Sequence, residues 1–243
     1  MIDLTSFSHP FFEHAPFTQQ GINLHGVLDI NALPADVNSL LVQACDDLTA
    51  YRQLLVLGHG GSAFWRAVSA SVVSDKMSAP IDTFTIAQVE KFFAEHAPDM
   101  SFQIVYPGPA LVPLQRLGAL LGWHNDTPFK VGVNQAWGSW FAYRALLLVD
   151  SELTPSMPLT YPSPCDACER KPCVRACPVK AVSETAEFDL DRCMHFRNRA
   201  DSPCGQRCLS RLACPVGSEH RYSDAQLSYH YGCSMGVIER HLA

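Results

Sequence analysis

Apolar positions along the first half of the chain alternate between helical and strand spacing. Over residues 34–51 they recur every three to four residues, which predicts an amphipathic helix that begins at Pro34. The run Leu54–Leu57 is wholly apolar and predicts a buried strand. The Gly-His-Gly-Gly sequence at 58–61 then predicts a turn. A phosphate-binding loop is the alternative, although the stretch has neither the Walker lysine spacing nor GxGxxG.

Further elements follow up to residue 150. Thr85 and Gln88 have the spacing of a capping box, so a helix is predicted to begin there. Residues 101–106 predict a strand, and residues 111–123 predict a helix. A hairpin-like pair of strands is predicted for KVGVNQ and GSWFAYRALLLVD. Polar and apolar residues alternate imperfectly in the second of these, so both of its faces are expected to be covered. Together these elements predict an α/β domain.

Composition places the chain among folded proteins. It has 243 residues, of which 47% are hydrophobic and 17% charged, with a formal net charge of −6, so a disordered or collagen-like chain is excluded. The most apolar window, 140–149, is too short to span a membrane and contains Arg144. The first residues lack the pattern of a secretory signal. We therefore expect a cytoplasmic protein with no membrane segment.

The ten cysteines divide the chain into two parts. Only Cys45 precedes residue 150, and the others lie between 165 and 233. In a reducing compartment such a density of cysteine indicates metal binding rather than disulfides. The proline-rich stretch 154–164 predicts an extended linker. The expected organisation is therefore an α/β domain over 1–153, this linker, and a metal-binding domain over 165–243.

Residues 165–178 have the spacing C-x2-C-x4-C-x3-C-P. Thiolates this close together in a tight loop converge on one iron–sulfur cluster, and the compact bacterial ferredoxin run has nearly the same spacing. A structural zinc site is the alternative, because zinc also takes four thiolates. Zinc sites, however, usually use two separated CxxC knuckles rather than four crowded cysteines that end in proline.

A second, looser cysteine run ends in another Cys-Pro pair at Cys214. In two-cluster ferredoxins the cysteine before proline ligates the other cluster. This crossing predicts two [4Fe–4S] clusters, although a single cluster with spare cysteines stays open. Cys45 and Cys233 are left over and are expected to be buried apolar thiols. The two predicted ligand sets are Cys165, Cys168, Cys173 and Cys214 for one cluster, and Cys177, Cys193, Cys204 and Cys208 for the other.

Over roughly residues 100–216 the chain resembles epoxyqueuosine reductases. The resemblance rests on the P-x(13)-W spacing from Pro109 to Trp123, on QRLGALLGW, on the segment from Gly138 to Leu153, and on the cysteine order. GSWFAYRALLL also resembles a stretch of the mammalian cobalamin-processing protein, which has a flavin-reductase-like α/β fold. Reductive dehalogenases join a similar cobalamin domain to a two-cluster module.

The resemblance implies a flavin-reductase/nitroreductase-like cobalamin-binding domain, classed α/β or α+β, followed by a small bacterial-ferredoxin-like iron–sulfur domain. It implies an oxidoreductase that passes electrons from [4Fe–4S] clusters to a corrinoid or a small substrate. A ferredoxin-like electron-transfer protein without a second cofactor, or a flavin-dependent reductase using FMN, are the alternatives. The expected electron donor is a flavodoxin or ferredoxin.

The resemblance also implies site residues. Where epoxyqueuosine reductases carry an aspartate proposed as the acid, this chain has Tyr106, and the two side chains differ by about six pKa units. Tyr106 becomes the candidate acid, because reductive dehalogenases use a tyrosine, and a strand-end tyrosine with its hydroxyl at the surface is the alternative. The expected corrinoid lining is Trp123, His124, Trp137 and Trp140, and ordinary core or surface positions are the alternative for each. The acidic first part, with 7 Lys and Arg against 13 Asp and Glu, argues against a tRNA substrate.

Overall fold

The computed structural model describes residues 12–45, 47–71, 79–158 and 161–242. These residues divide into two compact units. The sheet unit comprises the described residues up to Leu121 together with those from Phe141 to 158, and the cysteine-rich unit comprises Gly122–Trp140 and 161–242. The sequence analysis placed residues 122–140 in the first domain, whereas the structure groups them with the cysteines.

A four-stranded sheet forms the centre of the sheet unit. Its order is β1-β2-β4-β3, and every neighbouring pair runs antiparallel. The molecule is therefore of mixed α/β class, with an antiparallel sheet. The strands are β1 (Leu24–Asp29), β2 (Gln53–Gly60), β3 (Phe102–Tyr106) and β4 (Phe141–Val149).

Both faces of the central strands are buried. All eight residues of β2 are buried, and so are residues 145–149 of β4. This burial confirms the buried strand predicted at Leu54–Leu57 and the expected coverage of the second strand on both faces. The helices are α1 (Ala15–Gln19), α2 (Ala35–Ala44), α3 (Ala63–Ala70), α4 (Pro80–His96) and α5 (Leu114–Leu120), with a short 3-10 turn at Ile30–Ala32.

Three predicted helices have wrong boundaries, and the one predicted for 111–123 spans only Leu114–Leu120. The helix predicted for 34–51 ends at Ala44, because Cys45 is extended and the Asp47 carboxylate accepts the Thr49 N–H at 2.8 Å, which favours a turn over a helix. The helix predicted to begin near Thr85 begins five residues earlier. Its first residue is Pro80, whose fixed φ suits the first turn, so the Thr85 hydroxyl lies inside the helix and donates to the Ile81 carbonyl at 2.8 Å.

The predicted hairpin is also wrong. Residues 130–135 form isolated bridges, Asn125 with Val133 and Asn134 with Gly138, and β4 pairs with β2 and β3 instead. The Asn134 side chain causes this local structure, because its Oδ1 accepts the Trp137 N–H at 2.7 Å and closes a tight turn. Gly138 completes the turn with a left-handed φ of 57°.

Part of the predicted linker packs against the sheet. The Ser156 N–H donates to the Val27 carbonyl at 2.8 Å, and the Val27 N–H donates to the Ser156 hydroxyl at 3.0 Å. Gln53 fixes the residues that precede this segment. Its side chain is buried and accepts hydrogen bonds from the Ser151 hydroxyl and from the Leu153 N–H. Residues 154–158 therefore belong to the sheet unit.

The cysteine-rich unit is built from short helices and turns. Helix α6 packs against α8, and α7 packs against α9. Gly138 and Gly217, both with left-handed φ, bring their backbones into contact, so a side chain at either would meet backbone atoms. No helix in the described ranges is both long and apolar enough to cross a membrane. The helices are α6 (Pro172–Ala176), α7 (Leu190–Arg197), α8 (Leu209–Ala213) and α9 (Asp224–Leu242).

Candidate metal centres

Each Cys-Pro pair lies where a short helix ends. Cys177 follows α6 and Cys214 follows α8, and both have extended backbones, with ψ angles of 111° and 125°. A residue before proline is sterically disfavoured from helical conformation, so the prolines themselves end the two helices. Because α6 packs against α8, the two pairs are brought into the same part of the unit.

The other predicted ligands lie on turns and short helices. Cys165 and Cys168 share a turn in which the Cys168 N–H donates to the Cys165 carbonyl at 3.2 Å. Cys173 is buried within α6, and Cys193 lies on α7. Cys204 is buried in a loop, and Cys208 is the N-cap of α8.

The first predicted ligand set is close in space. Burial raises the pKa of the Cys165 and Cys173 thiols, and the thiols of Cys168 and Cys214 raise it further. Cys214 in turn is influenced by Cys168, although it is 46 positions away in sequence. We call Cys165, Cys168, Cys173 and Cys214 the first cysteine group.

The thiols of the second predicted set also lie near one another. Burial raises the pKa of Cys193 to about 11, and the neighbouring thiols that also raise it are Cys208, Cys177 and Cys204. Burial likewise raises the pKa of Cys204, with Cys208 and Cys177 as the contributing thiols. We call Cys177, Cys193, Cys204 and Cys208 the second cysteine group. The influence of the thiols on one another groups the cysteines as the crossed pattern does, and their role as cluster ligands stays a prediction.

The second cysteine group lines a cavity of about 200 Å³. All four of its cysteines contribute to the wall, and most of the remaining wall is apolar. Such a wall excludes water and lowers the local dielectric constant. The apolar and aromatic lining includes Phe129, Val131, Val182, Phe188, Phe196 and Tyr231.

Backbone N–H groups point at the sulfur atoms. The Ala181 N–H donates to the Cys177 Sγ at 3.2 Å. The N–H groups of Leu209 and Val216 make the corresponding bonds to Cys204 and Cys214 and oppose the rise in pKa that burial causes. Hydrogen bonds of this kind stabilise thiolates and tune iron–sulfur clusters. The donor set therefore suits anionic sulfur ligands.

Zinc and iron–sulfur clusters require different arrangements of four thiolates. Within the described ranges, no three His, Cys, Asp or Glu side chains converge closely enough to hold one metal ion. Thiolates on zinc lie about 2.3 Å from the metal, so a zinc site requires such convergence. In a [4Fe–4S] cluster the four cysteine thiolates surround a cluster of iron and sulfide, which is larger than a single metal ion. The assignment of the two groups to iron–sulfur clusters stays a prediction.

The sequence analysis missed two cations beside these groups. Lys171 precedes α6 with a left-handed φ, and its ammonium group donates to the Cys165 carbonyl. Arg197 ends α7 and lines the cavity of the second cysteine group. The spacing of Arg197, four positions after Cys193, places both on one helix face and is the signal that could have identified it.

Tyr106 belongs to the sheet unit, where it is the last residue of β3 and is half-buried. It pairs with Leu146 of β4 across a β-bulge. Bulges redirect side chains at strand ends and are common beside functional sites. Its proposed role as an acid stays a prediction.

The four residues predicted to line a corrinoid pocket lie in the cysteine-rich unit instead of the first domain. Trp140 is fully buried against Tyr222, with the Arg211 guanidinium 4.5 Å above its ring, so it is a core residue. Trp123 is 7% exposed. The other two are more accessible: Trp137 packs on His220 at 4.5 Å, and His124 lies 3.5 Å from the Asp126 carboxylate.

The glycine-rich stretch 58–61 ends β2 and precedes α3. Asn23 hydrogen bonds to both backbone groups of Gly60, accepting its N–H at 2.7 Å and donating to its carbonyl at 3.2 Å. That N–H is therefore not available to a phosphate, which weighs against a flavin-phosphate loop. The turn predicted for 58–61 is wrong for residues 58–60, because they continue β2 and pair with β4.

The two leftover cysteines differ. Cys45 is buried at the end of α2, as expected. Cys233 is exposed on α9, so the expectation that it is buried is wrong. It lies on a part of α9 where the neighbouring Gly232 faces open space.

No protein family and no curated protein matches the sequence, but solved structures share the fold. Epoxyqueuosine reductase from Streptococcus thermophilus matches with a TM-score of 0.53 and 10% identity, over 82% of this chain and 64% of its own. The B12-trafficking protein CblC of C. elegans matches with 0.51 and 12%, over 90% and 88%. A catabolic reductive dehalogenase matches with 0.53 and 15%, over 90% and 33%.

These matches show that the chain has the fold of the epoxyqueuosine reductase and cobalamin-processing proteins. The chain spans less than two thirds of the epoxyqueuosine reductase. Another epoxyqueuosine reductase of this fold was solved with a modified tRNA stem loop. A protein of this fold therefore binds tRNA, and the comparison does not support the expectation against a tRNA substrate.

Proposed function

We propose that the chain is an iron–sulfur oxidoreductase that holds two [4Fe–4S] clusters and passes electrons to a corrinoid or small substrate bound by the sheet unit. The observation that carries the proposal is the assembly of eight cysteines into two groups of four, with the Cys-Pro residues exchanged between the two runs. Exchange of this kind is the mark of two-cluster ferredoxins.

Residues around the two cysteine groups favour the binding of iron–sulfur clusters. The clusters would supply one-electron steps. The apolar wall of the second cavity excludes water, and the backbone N–H groups of Ala181, Leu209 and Val216 stabilise negative charge on sulfur. The reduced thiols that this assembly needs agree with a cytoplasmic location.

We propose a corrinoid as the preferred electron acceptor. The buried Trp140 does not offer a surface for a macrocycle. The likeness in fold to a B12-trafficking protein is what favours a corrinoid. The hydrogen bonds between Asn23 and Gly60 weigh against a flavin phosphate at 58–61. Tyr106 is the proposed proton donor to the reduced acceptor, and a flavodoxin or ferredoxin is the proposed electron source.

The test begins with the metal content of the chain purified under anaerobic conditions. We expect about eight irons and eight acid-labile sulfides per chain. Near-stoichiometric zinc with no iron would refute the cluster assignment, and about four irons would leave one cluster.

Titration of the loaded protein with cob(II)alamin and with FMN then identifies the acceptor. A change in the corrinoid spectrum supports the corrinoid. A change with FMN alone supports a flavin-dependent reductase. No change with either supports an electron-transfer protein without a second cofactor.

A further inference from the structure

Arg197 holds a positive charge at the wall of the second cavity. Its Nε donates to the carbonyl of Cys204, itself a member of the second cysteine group, at 3.2 Å. Its Nη2 donates to the Ser234 hydroxyl at 2.8 Å and to the Tyr231 carbonyl at 3.3 Å. The Cζ atom also lies 4.9 Å from the centre of the Tyr231 ring. The guanidinium is thus fixed by the cysteine loop and by α9.

In the part of the chain that the structure describes, no carboxylate is paired with this guanidinium. The acceptors are carbonyls and a hydroxyl, which carry no net charge. Nearby arginines differ, since Arg192, Arg199 and Arg207 each lie within 4.0 Å of an aspartate. Of the ion pairs that the structure describes in this unit, none includes Arg197. In an apolar cavity such a charge acts over a longer distance than it would in water.

We propose that Arg197 raises the reduction potential of the cluster held by Cys177, Cys193, Cys204 and Cys208. The inference rests on the two-cluster function proposed above. Reduction of a cluster adds one electron, breaks no bond, and makes the site more negative by one charge. A fixed cation stabilises that reduced state, and net charge and solvent exposure are known determinants of cluster potential. A one-electron reductant such as dithionite supplies the electron.

Lys171 is the corresponding cation at the first cysteine group. Its ammonium group bonds to the carbonyl of Cys165, just as Arg197 bonds to the carbonyl of Cys204. The surroundings differ, because Cys168 borders an open depression that is also lined by Glu169 and Arg170. Water in that depression screens charge. Because Lys171 contacts the first cysteine group and Arg197 contacts the second, each cation is assigned to the cluster of its own group.

The experiment is an anaerobic redox titration of the full-length loaded protein, followed by electron paramagnetic resonance. Arg197→Gln should move one of the two midpoint potentials to more negative values. We expect at least a tenfold fall in the ratio of reduced to oxidised cluster at fixed potential, which is about 59 mV for a one-electron couple. Arg197→Lys should retain most of the wild-type value. Arg199→Gln, whose charge is exposed and paired with Asp201, should leave both midpoints unchanged.

A second pair of variants keeps the Arg197 side chain in place. Ser234→Asp puts a carboxylate beside the guanidinium and should lower the same midpoint, whereas the neutral Ser234→Asn should not. Lys171→Gln should move only the other midpoint.

The inference is overturned if eight irons are bound and neither Arg197→Gln nor Ser234→Asp lowers a midpoint, or if Lys171→Gln and Arg197→Gln act on the same one. If Arg197→Gln does not bind iron, the comparison of Ser234→Asp with Ser234→Asn tests the inference instead. Failure of the wild-type chain to bind iron would instead refute the proposed function.

Discussion

Cys177 and Cys214 hold comparable positions at the ends of α6 and α8, yet each joins the cysteine group drawn mainly from the other run. Each potential cluster therefore depends on both runs. The assignment of a single residue can be tested, because exchange of one ligand should affect a cluster whose other ligands are distant in sequence.

Cys214→Ser should remove about four of the eight irons and give the same residual spectrum as Cys165→Ser. Cys177→Ser should instead match Cys193→Ser. Iron analysis and electron paramagnetic resonance compare the four variants. Cys233→Ser is the control and should keep all the iron, since Cys233 is exposed and outside both groups. A match between Cys214→Ser and Cys193→Ser would contradict the crossed assignment.

Tyr106→Phe tests the proposed proton donor once a substrate is known. The substitution removes only the hydroxyl, so the fold and the iron content should be retained. Loss of a general acid typically lowers turnover by about 100-fold or more. Turnover within twofold of wild type in a steady-state assay would remove Tyr106 from the mechanism.

Membership of the cysteine groups was predictable from sequence, because ligand order and the Cys-Pro pairs specify the exchange without any tertiary information. The environment of Trp140 was not predictable from sequence. Trp140 enters the core through Tyr222, Leu227 and Arg211, which lie 71 or more positions later in the chain. No local pattern reveals contacts between residues so far apart. The exposure of Cys233 was missed for the same reason.

At the scale of elements, the turn at 134–138 is joined to the loop before the 3-10 turn at Ser218–His220 through two glycines. Gly138 and Gly217 have φ angles of 57° and 62°, and a Cβ on either would overlap backbone of the other segment. These contacts hold residues 122–140 within the cysteine-rich unit. Both the backbone conformation and the available space therefore require glycine.

Gly138→Ala should lower the free energy of unfolding by more than about 2 kcal/mol, because a left-handed backbone and a backbone overlap are both costly. Anaerobic urea unfolding followed by circular dichroism measures the change. Gly232→Ala is a matched control on α9, where the added methyl group meets open space. That control should be neutral or stabilise the protein by about 0.5–1 kcal/mol. Equal midpoints for the two variants would contradict the requirement for glycine.

In the sheet unit, β2, β3 and β4 and helices α2, α4 and α5 lie where the sequence predicted elements, whereas β1, α1 and α3, the boundaries and the pairing were not predicted. Leu54–Leu57 and the strand before Tyr106 appear as predicted, because a short apolar run has few alternatives to a buried strand. The partner of β4 could not be predicted from proximity in sequence. Asn134 closes a local turn, and β4 pairs with β2 and β3, which are more distant in sequence.

At the scale of the whole molecule, the half-buried His25 makes stability depend on pH. Burial lowers the pKa of His25 to about 4, and the nearby His14 acts in the same direction. The ring lies among Phe12, Phe17 and His14, and its Nε2 lies 2.7 Å from the Ile22 carbonyl. Below pH 6.5 the unfolded chain takes up a proton that the folded chain does not accept until about pH 4.

The His25 contribution is therefore complete above pH 6.5 and is lost as the pH falls toward 4. Between pH 7.5 and 5.5 the free energy of unfolding should fall by about 1 kcal/mol on this account. Urea unfolding of wild type and His25→Gln across this pH range isolates the contribution of His25 to the free energy of unfolding, because glutamine does not titrate. Parallel pH profiles for the two proteins would show that His25 contributes nothing.

The path of the chain between the two units has a consequence for how such a protein can be divided or recombined. Because residues 122–140 belong to the cysteine-rich unit and β4 follows them, the central sheet is not encoded by one continuous segment. A fragment that ends at the proline-rich stretch would carry Trp140 and Phe129 without the side chains that bury them. A gene fusion that exchanged only the cysteine-bearing tail would have to match this internal segment as well. The two units are therefore expected to be inherited together, even though their side chains are suited to different chemistry.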